Sequence, residues 1–164
     1  MAHVHAKPDW RYWLDFYLYP AIVAGCFVFG GVNLHWLWAV PLGFLFWTFA
    51  EYWAHRSILH TIFWQNHGTH LHHHQHPEDF VIFPIWQLPL VWLAFFLIMP
   101  LPFFAGFTLG YVWFVALHHM LHHWQLNDGW LKQYSVWHDR HHKETYYNYG
   151  ITTPIWDFVF RTYK

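Results

Sequence analysis

Charge is what this chain has least of. Of its 164 residues, 8 are Lys or Arg and 9 are Asp or Glu, together 10%, against about 25% in an ordinary soluble protein. A formal net charge of −1 with neutral histidines leaves no basic stripe to neutralise phosphates, which excludes nucleic acid as a partner. Cysteine is nearly absent. The single Cys26 excludes an intramolecular disulfide framework, and its apolar neighbours mark it as a packing residue. The polar stretch from Met1 to Trp10 is not followed by a short apolar core with a small-residue cleavage site, so no removable signal peptide is expected.

Hydrophobic residues fill the place of the charges at 56%, with aromatics at 25% including 14 tryptophans. No Asp, Glu, Lys or Arg occurs from Phe16 to Ala50 or from Phe80 to Asn127. A hydrocarbon core of roughly 30 Å takes about 20 helical residues, so each of these gaps can hold two crossings. Gly30, Gly31 and Asn33 interrupt the first gap, and Met99-Pro100-Leu101-Pro102 interrupts the second, as turn residues do. The expected fold is all-α and integral to a membrane. Four transmembrane helices near 16–31, 36–54, 85–99 and 103–123 would form two hairpins within a single domain, 1–164. The first and third are short and would tilt little or be partly re-entrant.

The position of the few charges gives an orientation. All eight Lys and Arg residues lie before the first hairpin, between the hairpins or after the second. Both termini and the central loop are therefore expected on the cytoplasmic side. Trp10, Tyr12, Trp13, Tyr17, Trp36, Trp38, Trp86 and Trp92 suit interfacial belts.

Histidine is the polar residue this chain does have. Fifteen of its 18 histidines fall between His55 and His142, in four blocks. The first is His55 with His60, five apart at the exit of the second span. On a regular helix these point about 140° apart, so they would grip a centre from two sides or across a loosened helix end. The second block, Asn66-His-Gly-Thr-His-Leu-His-His-His-Gln-His-Pro77, contains His70, His73 and His74 in an H-x-x-H-H pattern whose members share a helical face. A register starting at His67 is the alternative, and His72 and His76 are surplus. In the third block either His118 with His122 or His119 with His123 makes an i, i+4 pair; the former is preferred, although periodicity leaves both open. The fourth, His138, His141 and His142, repeats H-x-x-H-H.

Ten neutral imidazoles crowded together without a cation would leave buried polar atoms unpaired, at roughly 1–3 kcal/mol each. Metal ions resolve this, since imidazole suits Fe, Zn, Cu and Ni. Ten donors exceed one ion and suit two, with about five each and a position left open on both. The second ring nitrogen of such ligands is often held by a carboxylate. Glu51, Asp79, Asp128, Asp139, Glu144 and Asp157 are the candidates.

The order of the blocks resembles the fatty acid hydroxylase/sterol desaturase superfamily of membrane di-metal oxidases, whose pattern is H-x3/4-H, H-x-x-H-H, H-x3/4-H, H-x-x-H-H. His74-Gln-His-Pro-Glu-Asp79 with the following Val81–Pro84, and the tail Asn148-Tyr-Gly-Ile-Thr-Thr-Pro-Ile-Trp-Asp157, are similar to segments of its fatty acid 2-hydroxylase branch. The resemblance covers roughly residues 45–164. It implies four spans beneath a cytosolic histidine-rich cap, two iron ions (zinc in purified protein), O2 as co-substrate and a membrane lipid substrate. It further implies electrons from a separate cytochrome b5- or ferredoxin-like carrier. The implied reaction is hydroxylation of a fatty-acyl C–H bond, with a sterol or carotenoid hydroxylase or desaturase as the alternative. A non-catalytic metal-binding or transport protein would instead place its ligands within the spans, whose middles hold almost no polar groups.

Overall fold

A computed structural model describes Pro8 and residues 10–62, 68–80 and 87–164. Every regular element among these is helical: α1 (Trp10–Phe29), α2 (Trp36–Ala54), a π-helical segment (His55–Ile62), α3 (Gly68–Gln75), α4 (Gln87–Ile98), α5 (Leu101–His123), α6 (Gly129–Lys143) and α7 (Ile155–Val159). The chain forms two compact units, with α2 and α5 each running through both. One unit comprises 8–48 and 82–115, and the other takes in 49–81 and 116–164.

In the first unit α1 begins six residues before the expected 16, because the helix tolerates Arg11 and Asp15. Asp15 accepts a hydrogen bond from the Tyr111 hydroxyl at 2.8 Å, which gives that carboxylate a partner among apolar side chains. The 30–35 turn forms where expected. Gly31 takes a positive φ of 62°, and the Asn33 side chain caps the turn by accepting from the His35 N–H at 2.9 Å. The second break is shorter than expected. Helix α4 stops at Ile98 and α5 starts at Leu101, with Pro102 in the first turn, where its missing N–H costs nothing. The start of the third expected span, at 85 and 86, lies outside the described residues. Helices α1 and α5 are long and apolar enough to cross a membrane by length and composition.

Aromatic rings fill the core of this unit. Tyr19, Trp92 and Tyr111 meet with centroids 4.5–4.9 Å apart, and Trp47 joins them edge-on to Phe107 and Tyr111 at 5.2 Å each. The Trp92 indole N–H donates to the buried Thr108 hydroxyl at 3.1 Å. Small residues let α2 and α5 approach one another. A Cβ on Gly43 would lie 2.1 Å from the Phe103 carbonyl oxygen, and one on Gly106 would lie 2.0 Å from that of Val40. Packing of this kind replaces the hydrophobic drive that helices lack in an apolar surrounding.

Gly43→Ala or Gly106→Ala is expected to force α2 and α5 apart, at about 1–3 kcal/mol. Gly25, whose Cβ would meet nothing within 4 Å, should accept alanine without loss. Thermal unfolding of the three variants in detergent checks the contrast.

Candidate metal centre

The second unit collects the histidines. Each block is placed by its own helix: His55 and His60 by the π-helical segment that continues α2, His70, His73 and His74 by α3, His118 and His122 by the last turns of α5, and His138, His141 and His142 by α6. The π-helical segment explains the five-residue spacing. Its backbone bonds run i to i+5, so residues five apart come together where a regular helix would separate them. The two Nε2 atoms there are 3.2 Å apart.

All ten predicted histidines fall into two groups of five. His55, His60, His70, His74 and His141 form one group, and His73, His118, His122, His138 and His142 form the other. Within each group the ligand nitrogens all lie within 4.8 Å of one another. The groups adjoin, with the rings of His74 and His142 stacked at 4.5 Å. Each H-x-x-H-H block is therefore divided. Its i, i+4 members (His70 with His74, His138 with His142) enter one group and its i+3 member (His73 or His141) enters the other. The sequence reading, which put all three on one shared face, did not anticipate this division.

Among the described residues, the remaining histidines belong to neither group. His123 stacks on Phe80 with centroids 4.1 Å apart and pairs with His119 at 5.0 Å. His72 contacts Asp79. The alternative register through His67 lies outside the described residues.

Neighbouring ring nitrogens in the first group are separated by 3.0–3.2 Å: His60 from His55, His70 and His141, and His141 from His55. In the second group the separations are 2.9–3.1 Å. Two nitrogens at right angles about an ion, each ~2.1 Å from it, would lie ~3.0 Å apart. The donor set therefore fits metal ions.

The tautomers carry the argument further. His55 Nδ1 lies 2.5 Å from the Tyr149 carbonyl oxygen, and His141 Nδ1 lies 2.6 Å from that of Tyr147. A carbonyl only accepts, so both Nδ1 atoms carry the proton and both Nε2 atoms present lone pairs. Those two lone pairs face each other across 3.1 Å, an arrangement that calls for a cation between them. A proton is a poor candidate. Burial, reinforced by neighbouring imidazoles, pulls the pKa of His60 down to about 3. Burial likewise takes His74 to about 4 and holds His55, His138 and His141 well below the usual imidazole range.

The acidic candidates act at one remove. Carbonyl oxygens, rather than carboxylates, hold the second nitrogens of His55 and His141. Asp157 is fully buried and accepts from the Tyr149 and Gly150 N–H groups, both at 2.9 Å, and from the Thr162 hydroxyl at 2.8 Å. Burial pushes its pKa up in spite of these donors. Glu51, one turn before His55, accepts from the Ile151 N–H at 2.6 Å and the Thr152 N–H at 3.0 Å. Gly150 is required by the close approach, since a Cβ there would lie 2.2 Å from the Thr153 carbonyl oxygen. Asn148, at φ 58°, bonds the Trp137 carbonyl and both backbone groups of Lys164. Asp79 instead pairs with the surface His72, Glu144 pairs with Lys164, Asp139 is exposed, and Asp128 occupies the N-cap position of α6. Tyr147 and Tyr149 are the functional positions that the sequence reading missed. Their part is played by main-chain carbonyls, which residue identity does not reveal, and the flanking Asn-x-Gly pattern was the available signal.

Two expectations follow. Asp157→Ala should loosen the 149–150 turn that aims the Tyr149 carbonyl, and weaken metal binding by about 10–100-fold in a chelator competition assay. In metal-free protein the lowered folded-state pKa values mean that the unfolded chain takes up more protons below pH ~6.5. Stability should therefore hold above that pH and fall as acid is added, down to the folded-state values of about 3 and 4 for His60 and His74. Denaturant unfolding across that range measures it.

Comparison with known proteins agrees with this geometry. The family model described as fatty acid hydroxylase matches residues 40–162. The chain is 34% identical over 140 residues to dihydroceramide fatty acyl 2-hydroxylase FAH2 of Arabidopsis thaliana, covering 75% of this chain and 59% of that protein. It is 35% identical over 142 residues to fatty acid 2-hydroxylase of Mus musculus, covering 74% and 38%. These relatives are longer, and the chain spans between about two fifths and three fifths of their length. Among solved structures, full-length scs7p, of which only the hydroxylase domain is visible, aligns with a TM-score of 0.71 at 26% identity, covering 93% of this chain and 66% of that one. With three quarters of its length inside the family model, the chain belongs to the fatty acid hydroxylase family.

Proposed function

We propose that this protein is a membrane di-iron hydroxylase that uses O2 to hydroxylate a fatty-acyl chain, at the carbon next to the carbonyl. The observation that carries the proposal is the sorting of ten imidazoles into two adjoining groups of five. The names of the relatives, dihydroceramide fatty acyl 2-hydroxylase and fatty acid 2-hydroxylase, point to the acyl chain and the position.

In this reading His55, His60, His70, His74 and His141 hold one iron, and His73, His118, His122, His138 and His142 hold the other. Iron in these groups would supply the oxygen-activating and C–H-oxidising chemistry. The chain's own part is orientation and exclusion. The Tyr147 and Tyr149 carbonyls fix the tautomers of His141 and His55 so that the Nε2 lone pairs point inward. Burial keeps bulk water away, with His138 and His141 no more than 1% exposed.

Helices α1, α2, α4 and α5 would be the four membrane spans, arranged as two hairpins, with both termini and the histidine centre on the cytoplasmic side. The outward apolar side chains of these helices support this: Phe29, Leu37, Leu97 and Ile98 are at least 73% exposed, an arrangement that suits lipid and not water. Electrons would come from a separate cytochrome b5- or ferredoxin-like carrier.

His73→Ala and His141→Ala remove one donor from each group. After anaerobic iron loading, each is expected to lower bound iron and to abolish formation of hydroxylated acyl lipid, followed by mass spectrometry of bound lipids after oxygen exposure. Full turnover in either variant would overturn the ligand assignment. Tight iron binding in the wild type without any hydroxylated product would overturn the reaction while leaving the metal centre standing.

A further inference from the structure

The two groups of imidazoles differ on their outer side. In both, Nε2 atoms face one another at 2.9–3.2 Å. A neutral imidazole that offers Nε2 to a metal carries its proton on Nδ1, and that N–H needs an acceptor. In the first group His55 and His141 have one each, the carbonyl oxygens of Tyr149 at 2.5 Å and Tyr147 at 2.6 Å. In the second group the Nδ1 atoms of His73, His138 and His142 are buried, and no hydrogen-bond partner reaches them. Water does not take the acceptor's place, because these three atoms are closed to solvent.

The difference matters most with a metal bound. A divalent cation at Nε2 draws electron density from the ring and makes Nδ1–H a stronger donor. Where a carbonyl accepts that proton, the hydrogen bond strengthens on binding, and the ring is already held at the angle the metal needs. Where nothing accepts it, the more polar N–H stays buried and unpaired, and no hydrogen bond fixes the rotation of the ring. The first group's acceptors are themselves fixed, since Asp157 accepts from the Tyr149 and Gly150 N–H groups at 2.9 Å. A partner of this kind is worth about 10–100-fold in metal affinity.

We propose that the two groups are unequal metal sites. His55, His60, His70, His74 and His141 hold their ion at least about tenfold more tightly than His73, His118, His122, His138 and His142 hold theirs. The chain therefore passes through a one-metal form, with the first group filled and the second empty. Metal supply to the second group then decides whether the pair is complete. This order of loading rests on the two-metal reading above and goes beyond it.

Zinc, which undergoes no redox change, serves as the probe on the full chain in detergent. Zinc-loaded protein is dialysed against chelator-buffered solutions of falling free zinc, and retained zinc per chain is counted by elemental mass spectrometry. Retention is expected to fall from two to one, hold there over at least about a tenfold range of free zinc, and then fall to zero. Repulsion between neighbouring ions also separates the steps, so the retained zinc must be located. An anomalous difference map from a crystal held on the plateau should place it among His55, His60, His70, His74 and His141. His138→Ala should keep that zinc and lose the weaker one, whereas His141→Ala should lose the tight one. Asp157→Asn should shift only the tight step, by about tenfold, where general damage to the fold would move both. Zinc found in the second group on the plateau, or both ions leaving in one step, overturns the inequality. A wild-type chain that holds no zinc at all overturns the two-metal reading instead.

Discussion

Imidazole nitrogens facing one another at about 3 Å are the feature on which the second unit depends. Such contacts are unfavourable when both partners present lone pairs, and two backbone carbonyls ensure that His55 and His141 do so. Protonation could relieve the repulsion in water. Here burial works against it, since a charged imidazole loses its hydration and meets other imidazoles rather than a carboxylate. Metal ions remove the conflict, and they use both properties: neutral rings and fixed direction. The same burial that opposes the proton thus favours the metal.

Much of the rest of that unit serves to hold the carbonyls in place. The 147–152 segment is irregular backbone, and irregular backbone must find partners for its polar groups when buried. Asp157 takes the N–H groups of Tyr149 and Gly150, and Glu51 takes those of Ile151 and Thr152. Four successive N–H groups are therefore held by two carboxylates. Glu51 stands one turn ahead of His55, so the segment is fastened at two neighbouring points: N–H to carboxylate at Glu51, and carbonyl to imidazole at His55. The Tyr52 hydroxyl and Thr162 extend the same network to Asp157. The carboxylates stabilise the centre without touching the imidazoles of His55 and His141.

The legible part of this architecture was the part written in side-chain type and period. The charge-free stretches showed where the long helices run, and the four histidine blocks showed which segments come together. What stayed hidden depends on backbone geometry. The beginning of α1 was misplaced because Asp15 and Arg11 read as a boundary, while a single hydroxyl from Tyr111 on a helix far away in sequence gives the carboxylate a partner within the helix. The spacing of His55 and His60 looked awkward because a regular helix was assumed, and a π-helical turn restores the match. The six acidic candidates could not be ranked, because Asp157 and Glu51 bind main-chain N–H groups that carry no sequence signature. Periodicity also could not separate His118 and His122 from His119 and His123. The choice depends on which side of α5 turns toward α3 and α6.

The division of each H-x-x-H-H block explains why that spacing recurs. An i, i+4 pair on one helix can place two nitrogens at neighbouring positions of one group, as His70 with His74 and His138 with His142 do. A third histidine at i+3 is displaced about 100° from the residue at i+4. It reaches the adjoining group, so α3 and α6 each contribute to both groups. The two-residue blocks contribute to one group each: His55 and His60 to the first, His118 and His122 to the second. Helices α3 and α6 therefore set the separation of the two groups, because each spans both with rigid backbone. A lone H-x-x-x-H pair could build either group but could not tie one to the other. The extra histidine in each three-residue block makes that tie, and it joins the two groups into one cluster.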